Sequence, residues 1–225
     1  MIRVPPPVHP LAEIIQDADA GRFPAADGGW SRVPTWRDGV EGIVCFTGHA
    51  VFALGSDVSH ERIAELGADG FGGAAHPRLL SGLAGPDGWI GSQDALLAGH
   101  GTGTGTGPGP ETALVPRTDL SSHPRAQYAA SIRDTPRTYG YPDPARSAVA
   151  ILSTGLAGLT ELSFELEPDR RGGGQATGLI RAALALLPAG ELVVAAATPG
   201  NAASVRALLA AGFTPLGSVQ LLSCG

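Results

Sequence analysis

Lysine is missing altogether from this chain of 225 residues, so all 15 of its basic residues are arginine. A Walker-type nucleotide loop is thereby excluded, because it needs a lysine on the phosphates. Cysteine is nearly absent too. Cys45 and Cys224 lie far apart with no other thiol to join them, which leaves no disulfide framework or cysteine metal site and fits a reducing cytoplasm. No apolar run approaches the ~20 residues of a membrane span; LIRAALALL is typical of the longest. The opening MIRVPPPVHP has three consecutive prolines where a signal peptide needs an apolar helix, so a soluble, cytoplasmic protein is expected. Charge is sparse at 16 % of residues, and the net charge of −6 argues against binding along a phosphate backbone. Neither nucleic acid nor membrane is expected as a partner. The 43 % hydrophobic content is enough for a core, in one large domain or two small ones.

Glycine, with 33 residues, is what the chain has in excess. Against that background a glycine run means nothing until its neighbours are read. In HPLAEIIQDADAG, Leu11, Ile14 and Ile15 recur at helical spacing before Gly21. GIVCFTGHAVFAL (42–54) reads as two extended runs about a Gly48-His49 turn, and SHERIAELG as a short helix capped by Ser59. Turns and short helices follow, the last helix around SQDALLAG. HGTGTGTGPGP (100–110) is of low complexity and is expected to be a flexible linker. It fails the dinucleotide fingerprint, because Thr106 or Pro108 stands where the final glycine is required.

From 111 onward the texture changes. TALVPRTD reads as a strand, HPRAQYAASIRD as a helix with Ser122 as its cap, and RTYGYPD and SAVAILSTG as strands. LTELSFELE alternates, with Leu162, Phe164 and Leu166 on one face and Glu161, Ser163, Glu165 and Glu167 on the other. GGQATGLIRAALALLPAG predicts a helix, ELVVAAATPG a buried strand, and NAASVRALLAAG a helix capped by Asn201 and ended by Gly212. FTPLGSVQLLS is a last extended run, giving the order β-α-β-β-β-α-β-α-β. PDRRGGGQATG (168–178) lies between the patterned strand and the helix. Glycines let backbone approach a ligand, arginines add positive charge, and a helix N-terminus attracts anions. That context makes it a phosphate cradle.

These elements resemble the GCN5-related N-acetyltransferase (GNAT) superfamily over 111–225. Arg171-Gly172-Gly173-Gly174-Gln175-Ala176 matches its pyrophosphate pattern of Arg or Gln, two residues, Gly, one residue, then Gly or Ala. ELVVAAATPGNAASVRALLAAGF resembles its next strand and helix, with Asn201 opening the helix and Gly212-Phe213 closing it. The resemblance implies an α/β (α+β) fold: a mixed, mostly antiparallel sheet flanked by helices. Residues 1–100 would then be an N-terminal accessory region, 100–110 a linker and 111–225 the acyl-CoA-binding domain. It implies acetyl-CoA or another acyl-CoA as co-substrate, no metal, and a small-molecule amine as acceptor. Arg170, Arg171, Gly172, Gly173, Gly174, Gln175, Ala176 and Asn201 would hold the cofactor's phosphates, and the strand at Phe164 and Leu166 its pantetheine arm.

For catalysis, Glu161 resembles the family's proton acceptor, with Glu165 further along the same face. Many relatives carry a tyrosine four residues before the Gly-Phe pair, where this chain has Leu208. Ser204 or a water could replace it, the thiolate could leave unassisted, or the chemistry could be altered or lost. In the last case the protein would bind acyl-CoA as a sensor or partner module.

Residues 1–100 match no module. They could form a degenerate second GNAT half, an accessory layer with DGFGGAAHPR as a loop at the cleft, or a dimerisation surface. Their short elements favour the accessory layer, and a homodimer is left open. His9, His76 and His123 each precede proline and are expected as surface or capping residues; no histidine pair has the i, i+4 spacing of a metal helix. A Ser/His/Asp set can be assembled on paper, but no Gly-x-Ser-x-Gly elbow supports it. Trp30, Trp36 and Trp89 are expected as core anchors.

Overall fold

The computed structural model describes residues 8–105 and 113–224. The first elements are α1 (Pro10–Asp19), β1 (Trp30–Val33), β2 (Glu41–Phe46), β3 (His49–Ala53), α2 (His60–Glu65), α3 (Pro77–Ala84) and β4 (Trp89–His100). There follow β5 (Val115–Pro116), α4 (Pro124–Ile132), β6 (Asp134–Gly140), β7 (Val149–Thr154) and β8 (Thr160–Glu165). The chain ends with α5 (Gln175–Ala185), β9 (Leu192–Ala197), α6 (Ala202–Ala210) and β10 (Thr214–Ser223). From β5 onward this is the order expected from sequence. The chain forms two compact units, Met1–Gln93 with Leu216–Gly225, and Asp94–Pro215. The boundary therefore falls inside β4 rather than at 100–110, and the final residues return to the first unit.

In the first unit the strands run in the order β1-β3-β2-β10. β2 and β3 form a hairpin closing at Phe46↔His49, while β1 lies parallel to β3. These short strands are completed by a distant one, β10, paired with β2 from Ser218↔Cys45 to Leu222↔Glu41. One face packs Ile43, Ala50 and Phe52 against Ile63 of α2 and Leu79 and Leu83 of α3. Trp30 joins that core edge-on to Phe52, at 5.5 Å between centroids. Trp89, by contrast, is exposed. Glu41 is buried and accepts the N–H groups of Gly55 and Cys224 at 3.0 and 2.8 Å. Burial first, then the Glu41 carboxylate, push the Cys224 thiol up to about 12, so it behaves as an apolar group.

Three helices open with the same His-Pro pair. His9, His76 and His123 sit at the N-caps of α1, α3 and α4, and each Nδ1 accepts the N–H two residues on, at 3.2, 3.2 and 3.1 Å. The proline that follows has the φ a first helical turn needs and no N–H to satisfy. Ser122, expected to cap α4, instead ends a short 3-10 turn, Thr118–Ser122.

In the second unit the strand order is β4-β9-β8-β7-β6-β5, antiparallel throughout except for β8 beside β9. The helix expected around SQDALLAG is part of β4. Ala95–His100 pair with Ala197–Leu192, and Gly99 leaves room for the Phe213 ring, which a Cβ there would meet at 2.9 Å. Ala95, Leu96, Leu97 and Ala98 are good helix formers, but pairing with a distant strand overrode that local preference. The first part of the expected linker is also fixed. Thr102, Gly103 and Gly105 donate their N–H groups to the carbonyls of Leu184, Leu187 and Ala185 at 3.0, 2.9 and 2.8 Å. Carbonyls at a helix C-terminus lack intrahelical partners, and the Gly-Thr run supplies them. Residues 106–110 of the expected linker lie outside the described residues.

Helices α5 and α6 cover one face of this sheet through Leu179, Ile180, Ala183 and Leu208, packed on Leu162, Val193 and Ala195. Helix α4 covers the other, with Ala126 and Ala129 on Val149 and Ile151. Arg125 in the first turn of α4 and Arg133, the residue that caps its end, meet two glutamates of β8: Arg125 Nε to Glu165 at 3.5 Å and Arg133 Nη2 to Glu161 at 2.6 Å. The spacing fits, because eight residues of helix and four of strand both span about 12–13 Å. Arg133 also donates to Ser163 Oγ at 3.1 Å, and both Arg133 and Glu161 side chains are only 8 % exposed. Removing one partner leaves a buried charge unpaired. Arg133→Met should therefore cost about 3–5 kcal/mol in urea denaturation, and pairing it with Glu161→Gln should recover at least half of that loss.

Candidate functional site

Strands β8 and β9 pair only at Thr160↔Val193 and Glu161↔Val194. Beyond Glu161 they part, while β8 stays paired to β7 as far as Val149↔Glu165. A cavity of about 560 Å³ follows from this. Its β8 wall is Phe164, Glu165 and Leu166, and Arg171, Gly172, Gly174, Ala176 and Thr177 continue it into α5. The opposite wall belongs to α6 and its cap: Asn201, Ala203, Ser204, Arg206, Ala207 and Ala210. Arg125 of α4 completes it.

Gly172, Gly173 and Gly174 all have left-handed φ, at 97°, 58° and 77°. A Cβ at any of them would meet nothing within 4 Å, so backbone conformation alone calls for glycine here. Gly174 is the N-cap of α5 and provides no side-chain hydrogen bond to it. The Gln175 N–H turns back to Gly172 O at 3.3 Å, and no side chain caps the N–H groups of Ala176 and Thr177 behind it, which are open to a ligand or solvent. Arg125, Arg171 and Arg206 line the cavity against a single carboxylate, Glu165, which lies 3.5 Å from Arg125 and 3.8 Å from Arg171. Positive charge, an uncapped helix start and open backbone together suit an anionic ligand.

Helices α5 and α6 are tied by Arg181 Nη2, which donates to Ala210 O at 2.6 Å, and α6 is capped by Asn201 Oδ1, which accepts the Ser204 N–H at 3.2 Å. The loop into the glycines is anchored by Glu167, whose Oε1 takes Arg146 Nε at 2.8 Å and the Ser147 N–H at 2.9 Å. Arg146 in turn stacks over Tyr141, 4.3 Å from the ring centroid.

No family model matches the chain. Nor does any curated protein. Solved structures to which the chain is similar include these three. One is a GNAT-family protein from Novosphingobium aromaticivorans, at 23 % identity and TM-score 0.41, over 62 % of this chain and 69 % of that one. Another is an acetyltransferase of the GNAT family from Colwellia psychrerythraea, at 14 % and 0.35, over 61 % and 57 %. The third is a GCN5-related N-acetyltransferase from Kribbella flavida, at 14 % and 0.38, over 61 % and 60 %. The match thus spans less than two thirds of the last two chains.

Of the residues expected at a site, Phe164, Glu165, Leu166, Arg171, Gly172, Gly174, Ala176, Asn201 and Ser204 line the cavity. Arg170, Gly173 and Gln175 belong to the same turn but not to its lining. Glu161 lies elsewhere. It is buried, with Oε1 on Arg133 and Oε2 accepting the Leu156 N–H at 3.0 Å. Leu208, at the position where the resemblance puts a tyrosine, is buried in the core with Leu162 and Leu184. Sequence reasoning missed Arg125, Thr177 and Arg206. A helical wheel carried a signal for Arg206, because Ala203, Arg206, Ala207 and Ala210 follow i, i+3, i+4, i+7. Among the described residues no group of three or more His, Cys, Asp or Glu side chains could hold a metal ion, and no helix is long and apolar enough to cross a membrane.

Burial alone would raise the Glu167 pKa, but Arg146 and backbone N–H groups, Ser147 and Ala148 among them, outweigh it and hold the carboxyl down at about 2. A depressed carboxylate pKa stabilises the fold above its unfolded value and ceases to do so as pH falls through the folded one. Glu167→Gln should therefore destabilise at pH 7, by about 2 kcal/mol. Urea titrations should show the difference from wild type shrinking from about pH 4.5 down to about pH 2.

Proposed function

We propose that the unit Asp94–Pro215 binds an acyl-coenzyme A, acetyl-CoA first among them, and transfers the acyl group to the amine of a small molecule. The observation that carries this reading is the conjunction at one cavity of a parting β8–β9 pair, three left-handed glycines and an uncapped α5. The uncapped helix start, with Arg171 and Arg206, suits a diphosphate. The β8 edge beyond Glu161, free of β9, suits the amides of a pantetheine arm, which can pair with a strand as peptide does. The motif Arg171-x-x-Gly174-x-Ala176 supports the same placement.

In the reaction, the amine nitrogen forms a bond to the thioester carbonyl carbon and the C–S bond breaks. The amine loses a proton and the departing thiolate takes one. Glu165 and Ser204 are the polar candidates that face the cavity, Glu165 as proton acceptor directly or through a water and Ser204 as donor to the thiolate. Glu161, expected in the first of these roles, would have to leave Arg133 to serve.

A second reading has its own support: a protein that binds acyl-CoA without turning it over. Leu208 in the core offers no proton, and Glu161 is held in a buried pair.

Thermal melts with coenzyme A test both readings. A ligand at 100 times its Kd adds about 2.7 kcal/mol to native stability, so the melting temperature should rise by several degrees. Arg171→Ala should weaken that response by about tenfold in Kd, and no shift at millimolar coenzyme A would sink both readings. Release of free thiol from acetyl-CoA across an amine panel then separates them. Turnover that falls about 100-fold or more in Glu165→Gln supports the transferase, while silence with every amine supports the binding module.

A further inference from the structure

In the first unit, Asp27, His49 and Ser31 form one hydrogen-bonded line. His49 Nδ1 lies 2.9 Å from Asp27 Oδ1, and its Nε2 lies 3.2 Å from Ser31 Oγ. The parallel register explains the second contact. Ser31 pairs with Val51, and His49 stands two residues before Val51, so both side chains leave the same face. Trp30, Ala50 and Phe52 leave the other face, into the core.

The first contact is fixed by interlocked loops. Gly28 N–H donates to Gly48 O at 2.9 Å, Gly70 N–H to Gly28 O at 2.9 Å, and Ala50 N–H to Gly29 O at 3.2 Å. A side chain at Gly48 would lie 2.7 Å from Ala26 Cβ, and one at Gly70 would collide with the Gly48 carbonyl. Asp27 Oδ1 also accepts the Gly29 N–H at 2.8 Å. The three side chains are thus positioned by backbone that has no room to shift.

A carboxylate only accepts hydrogen bonds, so the neutral imidazole of His49 carries its proton on Nδ1, toward Asp27, and keeps a lone pair on Nε2. That lone pair accepts the Ser31 O–H. His49, and next the Gly29 N–H, hold the Asp27 carboxyl below its ordinary range, so it stays ionised beside the imidazole. A serine hydroxyl aimed at an imidazole that a carboxylate orients is the arrangement of an activated nucleophile, known by geometry rather than by sequence order. The missing Gly-x-Ser-x-Gly elbow therefore does not decide the matter. Ser31 is half-buried rather than sealed, and Phe71, 77 % exposed, lies over Gly28 as an apolar wall.

We propose that Ser31, His49 and Asp27 form a second active site, a nucleophilic triad for uncharged esters with an apolar acyl or aryl group. Ser31 Oγ bonds to the ester carbonyl carbon, the C–O bond to the alcohol breaks, and the serine proton passes through His49 Nε2 to that alcohol. Water then attacks the acyl-serine, giving one proton to His49 and on to Ser31 Oγ, and the carboxylic acid leaves.

The full chain is treated with an alkyl fluorophosphonate, and the modified residue is located by peptide mass spectrometry. p-Nitrophenyl butyrate hydrolysis is followed in parallel. The expected result is a phosphonyl adduct on Ser31 and none on Ser59, with ester hydrolysis lost in Ser31→Ala. His49→Gln and Asp27→Asn, checked for an unchanged melt, should slow labelling about 100-fold or more. Wild-type protein without an adduct on Ser31 would overturn the proposal and leave the line as a structural tie. Labelling of Ser31 at an unchanged rate in folded His49→Gln would overturn it too.

Discussion

The second unit depends on the buried pair of Arg133 and Glu161. Glu161 is the last residue of β8 to pair with β9 before the two strands part. The place where a sheet opens loses ladder hydrogen bonds and is the weakest point of such a fold. Here a guanidinium from α4 holds the fork from one face, and Gly155 leaves space for the carboxylate, which a Cβ there would strike. The cavity opens where the strands separate, just past this pair, and Arg125 and Glu165 reach it from the α4 side.

From that fork the polarity of the unit follows. The face of β8 that carries Glu161, Ser163 and Glu165 is matched by Arg125 and Arg133 of α4. The acidic face read from the sequence is therefore largely answered within the protein, and it is a poor lure for a cationic amine. The cavity has the opposite sign, with three arginines and the start of α5. The glycines at 172–174 keep this charge accessible by bending the chain away without placing a side chain in front of it.

What could be read from sequence was what is decided locally. Alternation in LTELSFELE, caps at Asn201 and Ser59, and the strand-glycine-helix context of PDRRGGGQATG each depend on neighbours within a few residues, and each stands in the structure. What could not be read was decided at a distance. β4 is a strand because β9, about a hundred positions on, pairs with it. Residues 101–105 are held because the end of α5 needs donors. Glu161 resembled a catalytic base because its partner, Arg133, lies beyond two intervening strands in the chain. The capping role of His9, His76 and His123 was legible in the same local way, since a residue before a helical proline is an N-cap by position.

The absence of lysine acquires a chemical meaning at the cavity. An ε-amine loses its proton readily enough to attack an activated acyl carbon, whereas a guanidinium is never deprotonated in a protein. Around the acyl-coenzyme A proposed above, Arg125, Arg171 and Arg206 would therefore not become acylated. A site lined with lysines would lose one positive charge with each such accident. Arginines would keep that charge however long the proposed donor stayed.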